Sequence, residues 1–257
     1  MPGPPRRRGR GHRAELRKRR RDITDSGGEV SVVVSAWKAT RYIIEALDSI
    51  RNQEPRKGWE YSLRIGVDGC EDTARLLDRA GTPYWWSPVN VGPYVMRNSL
   101  IGLQEATAYA IFDADDVMRP TYLLELLEWV GPGGIAGAGR TQIDETGKIL
   151  RRRTRYKSGV CIISHAAWGR VGGYRPWPMA ADYDLIVRAE RLQVPVRAVA
   201  KALYIRRVHP SSLTQARDTG FKSQQRQDLA RRTKSLAKHP HNLRVFPVTT
   251  ELELRVP

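Results

Sequence analysis

Three carboxylates fall within four residues at Asp113-Ala114-Asp115-Asp116, directly after the apolar run Ala108 to Phe112. The run reads as a buried strand, and Pro120 with the amphipathic stretch Leu123 to Trp129 opens a helix soon after. The acids therefore end a strand of an open α/β sheet, the edge at which such sheets bind ligands. Carboxylates this close repel one another unless a cation neutralises them, so a hard divalent ion with oxygen ligands is their natural partner. An acidic loop that caps the following helix is the competing reading.

The flanking sequence repeats the same strand-to-helix step. Val30 to Ser35 is a valine-rich strand, and a helix follows from about Ala39 to Asn52 with Ile43, Ile44, Leu47 and Ile50 on one face. Tyr61 to Val67 is a second strand and Glu71 to Ala80 a helix. Pro83 to Trp86 is a short third strand, with a helix near Tyr94 to Gln104, before the fourth strand reaches the acids. Strands alternating with helices predict a parallel sheet of βαβ units. After Trp129 the style changes. Gly131-Pro132-Gly133-Gly134 breaks the chain, and Asp144 to Lys148 reads as a hairpin turn. Helices are expected over Ala181 to Leu192 and from about Gln215 to Lys238.

At 257 residues the chain suits one α/β domain with appendages. Its two cysteines, Cys70 and Cys161, fit neither a disulfide framework nor a metal-ligand spacing, which suggests a reducing compartment. No apolar run approaches the ~18–20 residues that span a bilayer. The basic start, residues 1–21, has no apolar core behind it and does not read as a secretory signal. A cytoplasmic protein is expected. The net charge of +17 sits mainly at the ends: +6 over residues 1–29, +2 over 30–196 and +9 over 197–257. One further cluster, Arg151-Arg152-Arg153-Thr154-Arg155-Tyr156-Lys157, lies between. Basic flanks suit approach to a polyanion such as DNA or an anionic membrane, or form a solvated, partly disordered tail.

Five blocks in order carry a family resemblance. VSVVVSAWKATRYIIEALDSIRNQ (30–53), RIGVDGCEDT (64–73), NVGPYVMRNSLI (90–101), the acidic segment 108–120 and GGYRPWPMAADYDLIVR (172–188) together resemble family 2 glycosyltransferases of the GT-A fold. The resemblance covers about seven tenths of the chain. It implies a Rossmann-like, mostly parallel sheet with flanking helices. The expected organisation is a basic tail over 1–28, a transferase domain over 29–213 and a basic helical extension over 214–257. Within the domain, 29–130 would bind the nucleotide and 131–213 the acceptor.

The resemblance also implies roles. Ser35, Ala36 and Trp37 leave the first strand towards the donor, where Trp37 would cover the base or simply pack in the core. Asp68 would accept a hydrogen bond from a base imide such as uracil's, or form the turn ahead of Gly69. Asn90 belongs to the same donor wall. Arg97 would pair with the diphosphate or the base carbonyl. Asp115 would ligate Mn²⁺ or Mg²⁺, Asp113 contact ribose or metal, and Asp116 support the metal shell. His209, in Arg206-Arg207-Val208-His209-Pro210-Ser211-Ser212, would close over the diphosphate and metal. Asp182 would be the base that deprotonates the acceptor hydroxyl. Two positions depart from the family pattern: Ala181 stands where relatives have Glu, and Val67 where many have Asp.

The expected function is therefore inverting, metal-dependent transfer of a sugar from a nucleotide-sugar, a UDP-sugar by resemblance, to a hydroxyl. The basic ends suggest a polyanionic acceptor, such as a modified DNA base, or one carried at an anionic membrane. The alternative is a nucleic-acid-binding module whose transferase-like fold is inactive. A nucleotidyltransferase would want a Gly-rich, Lys-containing triphosphate loop after the first strand, and Ser35-Ala36-Trp37-Lys38 is not one.

Overall fold

A computed structural model describes residues 27–154, 159–210 and 212–257. The tail expected over 1–28 falls almost wholly outside the described residues, as do Arg155, Tyr156 and Lys157 of the basic cluster. β1 (Gly28–Ala36) lies inside the sheet, paired in parallel with β2 (Trp59–Asp68) on one side and β4 (Ala108–Asp113) on the other. β3 (Tyr84–Ser87) continues the parallel block beyond β2. Side chains alternate between faces along a strand. Val30, Val32 and Val34 accordingly join one buried cluster, and Val33 joins the other.

Helices cover both faces. α1 (Ile43–Arg51), α2 (Glu71–Arg79) and, after the two-residue β5 (Val117–Met118), α4 (Tyr122–Val130) pack on the first cluster through Leu47, Leu77 and Leu126. α3 (Pro93–Gly102), α5 (His165–Val171) and α6 (Ala181–Arg191) pack on the second through Met96, Val171 and Leu185. The sequence expectation of a helix from Ala39 is shortened. Ala39 to Tyr42 form a turn, and the helix starts at Ile43.

The second half adds an antiparallel flank. β6 (Ile135–Ile143) and β7 (Ile149–Arg153) form the expected hairpin, its turn held by the Asp144 carboxylate, which accepts the N–H groups of Thr146 and Lys148 at 2.9 and 3.0 Å. β8 (Cys161–Ser164) bridges β4 and β6, and β9 (Val196–Arg207) lies parallel to β6. Neither β8, α5 nor β9 was expected from periodicity, because β8 is only four residues long and β9 mixes apolar with basic positions.

The C-terminal residues 214–257 hold one α-helix, α7 (Gln224–Leu236), shorter than the expected Gln215 to Lys238. Residues 212–222 form turns, and the chain beyond α7 runs back over the domain. The Val245 N–H donates to Val171 O at 3.1 Å, Asn98 Nδ2 to Val248 O at 3.1 Å, and the Thr250 N–H to Ser99 Oγ at 2.8 Å. β10 (Glu253–Arg255) then pairs antiparallel with β3. Among the described residues no helix is long and apolar enough to cross a membrane.

Candidate active site

The carboxyl ends of β1, β2 and β4 open on a cavity of about 640 Å³. Ser35, Ala36, Trp37, Asp68, Asn90, Arg97, Asp113, Asp115, Asp182 and His209 all line it. The parallel register explains the first of these contacts. Ser35 sits opposite Asp113 and Ala36 opposite Val67, so three strands release their side chains at one level. Trp37 leaves β1 half-exposed, with Lys38 Nζ 4.4 Å from its ring centroid, and is not a core residue.

Asp68 ends β2 almost fully buried. Its carboxylate accepts the Val91 and Gly92 N–H groups at 2.7 and 3.0 Å, which fastens the loop leading into α3. Burial raises its pKa above the ordinary carboxylate value despite these two bonds. Gly69 follows at φ +60°, where a Cβ would stand 2.4 Å from Asn90 N. This turn therefore needs glycine. Asn90 Nδ2 donates to Asp68 O at 3.3 Å.

Arg97, on α3, reaches Asp113 Oδ1 at 2.5 Å. Burial alone would lower its guanidinium, but Asp113 holds it above its ordinary value. Asp113 itself is raised, by desolvation and by Asp115 beside it, against the pull of Arg97. Asp115 Oδ2 lies 2.9 Å from His209 Nε2. Asp116 is the exception among the acids. It does not line the cavity but sits buried behind it, accepting the Arg207 N–H at 3.0 Å. Burial, reinforced by Asp115 and Asp113, pushes its pKa well up.

These acids fit a divalent cation. One carboxylate oxygen from each of Asp113, Asp115 and Asp116 lies within 4.8 Å of the others. Asp116 Oδ2 is buried without a hydrogen-bond partner among the described residues. A buried, unpartnered carboxylate oxygen is costly. A cation would relieve both that oxygen and the mutual repulsion.

Asp182 stands in the first turn of α6. The helix N-cap is Ala180, at φ +60°, and Asp182 is the second residue of the helix. Tyr94 OH donates to Asp182 Oδ1 at 2.8 Å. Gly159 lies so close that a Cβ there would stand 2.8 Å from Asp182 Oδ2. The next acid, Asp184, plays a different part. It is buried between Arg188 Nε at 2.6 Å and Arg175 Nε at 3.1 Å, and Arg188 also donates to Val171 O and Gly173 O. It ties α6 to the segment before it.

Several cavity residues escaped the sequence reading: Tyr94, Arg140, Arg206 and Arg226. Arg206 and Arg207 adjoin His209 and could have been flagged there. Arg207 Nε donates to Asp115 O at 3.1 Å, and its guanidinium sits 4.9 Å from the Tyr42 ring centroid. Arg140 carries no local signal, because only β6 pairing with β9 brings it to the cavity.

No protein-family model and no curated protein matches the sequence. Solved structures do match the fold. TarS 1-349 of S. aureus, in complex with UDP-GlcNAc, superposes with a TM-score of 0.60 at 16% identity, over 72% of this chain and 60% of that one. The same protein with UDP gives 0.57 at 17% identity, over 71% and 61%. The mannosyltransferase PcManGT of Pyrobaculum calidifontis, in complex with GDP-Man and Mn²⁺, gives 0.56 at 14% identity, over 79% and 66%. The chain spans about three fifths of the TarS 1-349 structures. With its parallel core strands ending in an acidic cluster and these neighbours, the chain has the GT-A glycosyltransferase fold.

Proposed function

We propose that the protein transfers a sugar from a nucleotide-sugar, a UDP-sugar, to a hydroxyl acceptor, with inversion at the anomeric carbon. The observation that carries this reading is a continuous chain of contacts across one cavity. Asp182 bonds Tyr94 OH, the Arg97 guanidinium lies 5.7 Å from the Tyr94 ring centroid, and Arg97 pairs with Asp113 of the acidic cluster. A base at one end and a site for leaving-group charge at the other are what a direct displacement needs. The solved neighbours that hold UDP, UDP-GlcNAc, and GDP-Man with Mn²⁺ support it.

In this reading Asp113 and Asp115 hold Mn²⁺ or Mg²⁺, with Asp116 behind them and His209 beside Asp115. The ion, when bound, supplies Lewis-acid neutralisation of the departing diphosphate. Asp182 takes the acceptor proton as the hydroxyl oxygen bonds to the anomeric carbon and the sugar–phosphate bond breaks. Tyr94 OH orients that carboxylate. Arg97 adds fixed positive charge beside the diphosphate. Trp37 and Asp68 face the base, Asp68 with lone pairs left over from the loop N–H groups it accepts. We take 29–213 as the transferase unit and the cytoplasm as its location, in keeping with two unpaired cysteines among the described residues.

The test is a donor screen that measures release of UDP, GDP or TDP with and without Mn²⁺. Mn²⁺-dependent release of UDP is the expected result. Release of none of these diphosphates, with or without Mn²⁺, overturns the reading in favour of an inactive, nucleic-acid-binding module.

A further inference from the structure

Tyr42 is buried, yet among the described residues it belongs to neither hydrophobic cluster. Its neighbour Ile43 turns into the first cluster, whereas the Tyr42 side chain lines the cavity. The turn before α1 fixes where that side chain starts. The Ala39 N–H donates to Thr73 Oγ1 at 3.1 Å, and the Tyr42 N–H donates to Ala39 O at 3.0 Å.

Three groups meet this one ring. The His209 ring centroid lies 5.0 Å from it at an interplanar angle of 44°, and the Arg207 and Arg41 guanidinium groups lie 4.9 and 5.2 Å from its centroid. These are separations at which rings and cations attract. The far end of the side chain is fastened too. Tyr42 OH donates to Glu145 Oε1 at 3.1 Å, in the turn between β6 and β7, and Arg41 pairs with the same carboxylate. Two of the ring's three neighbours are the residues that hold the acidic loop. His209 bonds the Asp115 carboxylate, and Arg207 bonds the Asp115 carbonyl through its side chain and the Asp116 carboxylate through its N–H.

We infer that Tyr42 is a positioning residue of the metal centre. Its ring braces His209 and Arg207 so that Asp115 and Asp116 keep one geometry, and Glu145 anchors the ring from the β6–β7 turn. The inference rests on the transferase reading above, since it concerns the metal site which that reading assigns. His209 lies beyond the end of β9, where no ladder fixes it, so its imidazole can swing Nε2 away from Asp115 unless something packs against the ring. Side chains that lock such rotamers from behind decide how well a site is organised. The ring itself is the working part here. Phenylalanine would supply it without the hydroxyl, and an aliphatic side chain would not.

The experiment titrates the full chain with Mn²⁺ alone, read by the electron paramagnetic resonance signal of the unbound ion, and pairs each titration with metal-free thermal unfolding. Wild type is compared with Tyr42→Leu and Tyr42→Phe. Mn²⁺ affinity should fall roughly tenfold or more in Tyr42→Leu, the range for losing an outer partner of a metal site. Tyr42→Phe should stay close to wild type. If unfolding shows that Tyr42→Leu does not fold, Tyr42→Met, which fills more of the space without a ring, is titrated in its place with the same expectation. Unchanged Mn²⁺ affinity in the aliphatic variant overturns the inference, whatever its unfolding midpoint. So does an equal loss in the aliphatic variant and Tyr42→Phe, or no Mn²⁺ binding by wild type. The titration contains no nucleotide, so its failure leaves the donor screen standing, and the reverse also holds.

Discussion

His209 Nε2 lies 2.9 Å from Asp115 Oδ2, joining the segment after β9 to the loop after β4. The same segment adds the Arg207 N–H to Asp116 and the Arg207 side chain to the Asp115 carbonyl. The acidic cluster is therefore fixed by backbone and side chain of a distant strand, and its geometry exists only once β9 has docked against β5 and β6.

Asp115→Asn should abolish Mn²⁺-dependent nucleotide binding while leaving the fold unchanged, since Asp115 is partly exposed and its backbone carbonyl keeps its bond from Arg207. Titration calorimetry with UDP and Mn²⁺ checks this. Unchanged affinity for both would remove Asp115 as a ligand.

Asp182→Asn should lower turnover by ~10²-fold or more, the range for a lost general base, with little change in nucleotide affinity. Tyr94→Phe should lower turnover by less, because the base stays and only its 2.8 Å hydrogen bond is lost. Steady-state kinetics on both variants give the order. A Tyr94→Phe loss larger than that of Asp182→Asn would reverse the assignment.

Asp184→Ala should be a stability variant. Removing one partner of a buried ion pair leaves Arg188 uncompensated at about 1% exposure. The expected cost is ~3–5 kcal/mol in urea unfolding. Turnover per folded molecule should persist, which separates this acid from Asp182 two positions earlier.

Asp68 gives a pH signature. Burial raises its folded pKa above the unfolded value of about 3.9. Between those two values the folded state binds more protons than the unfolded one. The Asp68 contribution is therefore complete below about pH 3.9 and is lost as pH rises through the folded pKa. Unfolding measured against pH should show this decline in the wild type and a flatter course in Asp68→Asn. An identical slope in both would show that another group titrates.

Sequence periodicity determined the left half of the sheet. Alternating valines in β1 and the apolar run of β4 specify two-sided burial, and the 3.6-residue spacing of Ile43, Leu47 and Ile50 specifies a helix face, all within a few residues of chain. The acidic cluster was legible because it sits at a strand end that local pattern marks, whereas Asp68, Arg97 and Asp182 entered through the family resemblance and share one cavity in the structure. Tertiary structure decided the rest. Nothing local distinguishes Asp115, turned to the cavity, from Asp116, buried against the Arg207 backbone. Nothing local places Arg140 beside Tyr204, or folds residues 245–255 back over α5, α3 and β3. Those positions depend on which strands pair across more than sixty residues of chain, and pairing of that kind is set by the packing of the whole domain rather than by any short window of its sequence.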